Sequence, residues 1–110
     1  MSSVLSIDKH DFAPSGFTHS GTWVVDFSAT WCPPCRAMAP VMASLAAELA
    51  GTVGIAHLTS DDEPALTDRY GIQSFPTYMV FRDGQPIARR VGSTSIVRMR
   101  AWIEDATRTH

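Results

Sequence analysis

Long apolar runs are missing from this 110-residue chain. None approaches the ~20 residues that a membrane-spanning helix needs, so no membrane partner is expected. The opening residues, Met1 to Asp8, lack the basic start and long apolar stretch of a secretory signal, which points to a cytoplasmic location. Lysine is nearly absent, Lys9 being the only one, and the net charge is −2. No basic stretch interleaves with aromatic residues, which argues against nucleic acid as a partner. Cysteine is scarce too: Cys32 and Cys35 are the only two. A disulfide framework is therefore excluded. Zinc takes four ligands and no second cysteine pair is present, so no metal is expected; a site shared across a dimer is the alternative. No nucleotide- or flavin-binding fingerprint occurs, and no cofactor is expected.

A hydrophobic content of 45% is enough for one core, and the length suggests one domain over residues 1–110. Val4 to Ile7 reads as a short first strand. Asp8 to His19, with Pro14 and Gly16, reads as irregular, holding a short helix that Gly16 ends. Trp23 to Ala29 is nearly all apolar and reads as a central strand buried on both faces. Pro33 to Ala50 reads as a helix. Prolines cost little in its first turn, whose N–H groups lack helical partners anyway. Met38, Val41, Met42, Leu45 and Leu49 recur at helical spacing, while Pro40 predicts a kink and Gly51 a stop.

Val53 to Thr59 reads as a third strand, followed by an acidic turn at Asp61, Asp62 and Glu63. A short helix is expected from Pro64 to Tyr70. Thr77–Arg82, Asp83-Gly84 and Pro86–Val91 read as a β-hairpin. Ser95 to Thr107 reads as a closing helix with Ile96, Met99, Trp102, Ile103 and Ala106 on one face. This order implies an α/β fold, a mixed sheet with helices on both faces.

The chemistry points to Trp31-Cys32-Pro33-Pro34-Cys35, lying between a strand and a helix. Cysteines one helical turn apart have Cα atoms roughly 5–6 Å apart, within disulfide range. So short a ring hardly constrains the unfolded chain, so stability is a poor reason for it. In a reducing compartment such a pair is catalytic or metal-binding more often than structural. Asp26 lies inside the apolar strand, where burial raises a carboxyl pKa; the bland alternative is a solvated strand end. The acidic turn reads as solvated, and Arg36 and Arg89-Arg90 read mainly as solubilising surface, with tuning of partner choice as the alternative.

Val24-Val25-Asp26-Phe27-x-Ala29-x-Trp31-Cys32-x-Pro34-Cys35 resembles the active-site signature of the thioredoxin family. Ala39-Pro40, Tyr70-Gly71-Ile72, Phe75-Pro76-Thr77, Phe81, Asp83-Gly84 and Val91-Gly92 follow in family order, over nearly the whole chain. The resemblance implies a thioredoxin fold, with a mixed sheet of four to five strands flanked by helices on both faces. It also implies thiol–disulfide exchange on protein disulfides by a monomer, with a separate reductase, most simply an NADPH-linked thioredoxin reductase, as electron donor. Cys32 is then the nucleophile, Cys35 the resolving thiol and Asp26 the proton acceptor for Cys35. Pro76 is a cis proline facing Cys32. Trp31, Pro34, Phe75, Val91 and Gly92 rim a substrate groove.

Three positions depart from the family pattern. Pro33 replaces the usual glycine between the cysteines. This gives a W-C-P-P-C run shared with tryparedoxin- and nucleoredoxin-like proteins. Proline removes an N–H donor near the Cys32 sulfur and stiffens the turn, which points toward a stronger reductant. His57 stands where the family carries a lysine near the buried Asp, so a near-neutral titration coupled to Asp26 is expected; a surface histidine with no role is the alternative. Ser28 stands where bacterial members often carry tryptophan. Two other functions fit the same residues: a disulfide oxidant or isomerase, and a binding module using the surface without redox chemistry.

Overall fold

The computed structural model describes residues 3–108. Its main sheet has five strands: β1 (Leu5–Ile7), β4 (Thr22–Ser28), β5 (Gly54–Thr59), β6 (Thr77–Arg82) and β7 (Gln85–Val91). The spatial order is β1-β5-β4-β6-β7. β1, β5 and β4 run parallel, and β6 and β7 are antiparallel additions. Three α-helices complete it: α1 (Pro33–Glu48), α2 (Pro64–Arg69) and α3 (Ile96–Arg108).

Strand alternation divides the core. Val24, Ile55, Tyr78 and Val80 pack with Met38, Met42 and Leu45 of α1 and with Met99, Ile103 and Ala106 of α3. Val25, Phe27, Ala56, Leu58, Met79 and Phe81 face the opposite way, against Leu66 of α2 and Ile72. Both faces of β4 are covered, as its apolar run implies: Val24, Val25 and Phe27 are fully buried. The apolar faces expected of α1 and α3 are those buried, with Val41, Leu49, Ile96 and Trp102 at their margins. α1 remains one helix through Pro40, and Arg100 of α3 pairs with Glu48 at its far end.

The segment Asp8–His19 differs from its sequence reading. A 3-10 turn at Lys9–Asp11 is capped by Asp8, and a two-stranded ribbon follows, β2 (Phe12–Ala13) with β3 (Gly16–Phe17). Gly16 does not end a helix. It lies at φ +136, and a β-carbon there would sit 2.1 Å from the carbonyl oxygen of Gly84. The ribbon thus docks by close backbone approach onto the β6–β7 turn, where the Phe17 N–H donates to Gly84 O at 3.2 Å. Its aromatics meet Phe81, Tyr70 and Trp23 in tilted and edge-on contacts. Distant partners decide this segment, and local pattern does not encode them.

Candidate active site

Cys32 and Cys35 stand where β4 gives way to α1. Cys32 is the N-cap of α1, with Pro33 and Pro34 as the first helical residues. Neither proline has an N–H, so the first amide able to reach the Cys32 sulfur is that of Cys35. It donates to Cys32 Sγ at 3.3 Å. The two cysteines form a disulfide with Cα atoms 5.3 Å apart, within the range expected from the spacing. A sulfur at a helix N-terminus is where the helix dipole favours a thiolate. Both cysteines are nearly closed to solvent, packed with Ala29 and against Phe75.

The surroundings are apolar and exposed. Trp31 is 66% exposed and meets Phe75 edge-on, ring centroids 5.7 Å apart. Pro33 and Pro34 lie open to solvent on the first turn of α1. The Phe75–Pro76 peptide is cis. Pro76 is itself buried, and its carbonyl accepts from the Gly92 N–H at 2.8 Å. Val91, 55% exposed, pairs with Thr77 beside it. Trp31 and Pro34 thus flank Cys32 at the entry to α1, Phe75 packs against the cysteines, and Val91 and Gly92 at the end of β7 join the Pro76 loop.

Asp26 is buried, 4% exposed, as its apolar flanks imply. Burial pushes its carboxyl pKa up to about 7. In the parallel register of β4 and β5 it lies beside His57. His57 is half-buried, and burial lowers its imidazole pKa. A cleft of about 190 Å³ opens beside these residues, lined by Ser28, Ala29, Cys35, Arg36, His57 and Thr59 among others. Cys35 and His57, the register partner of Asp26, therefore line one cleft.

Two features were not legible as part of the site. The Thr30 N–H and hydroxyl both donate to the Asp61 carboxylate, at 3.3 and 2.7 Å. Arg36 Nη1 donates to Thr30 O at 3.1 Å. Asp61 of the acidic turn and Arg36 are exposed, as read, and also brace the loop before Cys32. Arg89 likewise donates to the carbonyls of Tyr70 and Gly71. The second feature is Tyr78, fully buried and directly opposite Asp26. Two-residue periodicity assigns Tyr78 a face; only the register assigns it a neighbour.

Among the described residues no three His, Cys, Asp or Glu side chains converge to hold a metal ion, and no helix is long and apolar enough to cross a membrane.

A redox-active cysteine pair at a helix N-terminus, packed against the residue before a cis proline and following a strand that carries a buried aspartate, defines a thiol–disulfide exchange site. The family model for thioredoxin matches residues 3–105. Thioredoxins of Staphylococcus aureus strains N315 and COL are each 47% identical over 73 residues, covering 66% of this chain and 70% of the relative. The chain belongs to the thioredoxin family, with the α/β fold and protein-disulfide reductase activity of a thiol–disulfide oxidoreductase.

Proposed function

We propose that Cys32 is the attacking thiol, that Cys35 resolves the mixed disulfide, and that Asp26 takes the Cys35 proton. The observation carrying this reading is the Cys35 amide donor aimed at Cys32 Sγ from the start of α1, at 3.3 Å. In the reduced protein, the Cys32 thiolate attacks one sulfur of a substrate disulfide. A Cys32–substrate disulfide forms, and the other substrate sulfur leaves as a thiolate. The Cys35 thiol gives its proton to the Asp26 carboxylate. The Cys35 thiolate then attacks Cys32 Sγ, forming the Cys32–Cys35 disulfide and releasing the second substrate thiolate. Two electrons have passed from protein to substrate. A carboxyl titrating near 7 suits the proton step, because part of the population is ionised at neutral pH.

The exposed face of Trp31, with Pro34, Phe75, Val91 and Gly92, offers an apolar floor for the substrate backbone. The Pro76 loop lies alongside it. Pro33 tunes the thiolate by withholding a donor, and His57 tunes Asp26 from the neighbouring strand. The protein works as a single-domain cytoplasmic monomer without cofactor or metal. A separate NADPH-linked thioredoxin reductase returns it to the dithiol. Dithiothreitol-driven reduction of insulin disulfides tests the reading. The wild type accelerates it, whereas Cys32→Ser falls to the uncatalysed rate. Undiminished activity in Cys32→Ser contradicts the assignment.

A further inference from the structure

Five buried side-chain nitrogen or oxygen atoms have no hydrogen-bond partner among the described residues: Asp26 Oδ1, Ser60 Oγ, Tyr70 Oη, Tyr78 Oη and Arg90 Nε. Three of them stand in one row across the sheet. Asp26 of β4 pairs in register with Tyr78 of β6, and Tyr78 with Arg90 of β7. On the other side of Asp26 the row continues to His57 of β5. Two residues along, the equivalent row is Ile55, Val24, Val80 and Ala88, apolar throughout. Polarity is therefore concentrated at the level of Asp26.

The charged and titratable groups around Asp26 are few. β5 brings His57, β6 brings Tyr78 and β7 brings Arg90, while Cys35 and Arg36 of α1 line the cleft that His57 borders. The buried residues of α3 are apolar: Met99, Ile103 and Ala106. Tyr78 remains a protonated donor throughout, because burial and the Asp26 charge raise its phenol pKa against the opposing pull of Arg90. Tyr78 Oη and Asp26 Oδ1 are both buried and unpartnered, on residues paired in register, so one bridging water would serve both. Such a water satisfies both atoms at once, accepting from Tyr78 Oη and donating to Asp26 Oδ1.

We propose that Tyr78 is a positioning residue for Asp26: from the opposite strand, its hydroxyl supports the ionised carboxylate through a bridging water and so makes Asp26 ready to accept a proton. The inference rests on the reading of Asp26 as the base for Cys35. A buried carboxylate with no donor resists ionisation; one supported by a donor holds its charge more readily. Tyr78 thus offsets part of the burial that surrounds Asp26.

The test is the side-chain carboxyl ¹³C titration of Asp26 in the wild type and in Tyr78→Phe, which keeps the ring and loses only the oxygen. Removing the donor disfavours the charged form, so the midpoint moves up by about one pH unit. An unmoved or lowered midpoint overturns the proposal. A second measurement needs no variant: the Tyr78 Cζ resonance of the wild type moves at the Asp26 midpoint. A flat Cζ signal through that midpoint overturns it as well. The pH dependence of insulin reduction separates this inference from the reading beneath it. Rates that ignore the Asp26 midpoint in both proteins remove Asp26 as the base. Rates that follow Asp26 while Tyr78→Phe leaves its midpoint in place remove only Tyr78.

Discussion

Asp26 and His57 hold the same register position on adjacent parallel strands, and the imidazole borders the cleft that reaches Cys35. Burial lowers the His57 pKa, which favours the neutral imidazole. A lysine there would place a permanent cation beside the carboxyl. An opposite charge favours the ionised acid, so His57→Lys moves the Asp26 midpoint down from about 7, by roughly one unit or more. The pH–rate profile of disulfide reduction reads this directly as a shift of its acid limb to lower pH. A superimposable profile disposes of the coupling.

The same buried carboxyl makes stability depend on pH. Unfolded, Asp26 titrates near 3.9, whereas folded it titrates at about 7. Between these values the folded state holds the extra proton. Stability therefore falls as pH rises from about 4 to about 7 and is level above. Asp26→Asn removes that dependence. Relative to the wild type it gains on the order of 4 kcal/mol at pH 8 and much less at pH 5. Urea unfolding of both proteins at the two pH values checks the widening gap. The same variant should slow disulfide reduction, a trade of function against stability.

Pro33 leaves Cys32 Sγ with the Cys35 amide as its donor. Pro33→Gly restores an N–H and loosens the turn, and both changes favour the dithiol form. The reduction potential should rise by roughly 20 mV, toward a weaker reductant, on the scale at which 30 mV is about 1.4 kcal/mol. Equilibration against a glutathione or dithiothreitol buffer measures it. A more reducing variant contradicts the account of Pro33.

Asp61 holds the Thr30 N–H and hydroxyl, and Arg36 holds the carbonyl of the same residue. The brace holds the residue before Trp31, for which a place in the substrate groove is proposed. Asp61→Ala frees two donors and leaves the cysteines untouched. KM for a protein disulfide should rise roughly threefold with kcat little changed, the pattern of lost positioning before chemistry. Trp31 emission should shift in the same variant. A drop in kcat at constant KM contradicts this role.

The elements and the cysteine site were legible because their signals are local. The β4 run, the proline-led start of α1 and the stripes of α1 and α3 each lie within one window of sequence. The ribbon at residues 12–17 was not, because Gly16 answers to Gly84 and the aromatics answer to Tyr70 and Phe81. The Thr30–Asp61 brace joins residues 31 apart. Placing Tyr78 opposite Asp26 required a strand register, and the β6–β7 pairing contains a shift at Val80/Phe81 that no periodicity announces. The cis bond before Pro76 came through the family resemblance alone.

The most direct measurement is the mass of the adduct formed when reduced Cys35→Ser protein meets a disulfide-bonded protein such as insulin. With the resolving thiol gone, a stable mixed disulfide through Cys32 should accumulate. It should be absent from the Cys32→Ser variant and short-lived in the wild type. If no adduct forms, or if Cys32→Ser traps substrate equally well through Cys35, Cys32 is not the attacking thiol and the account fails at its centre.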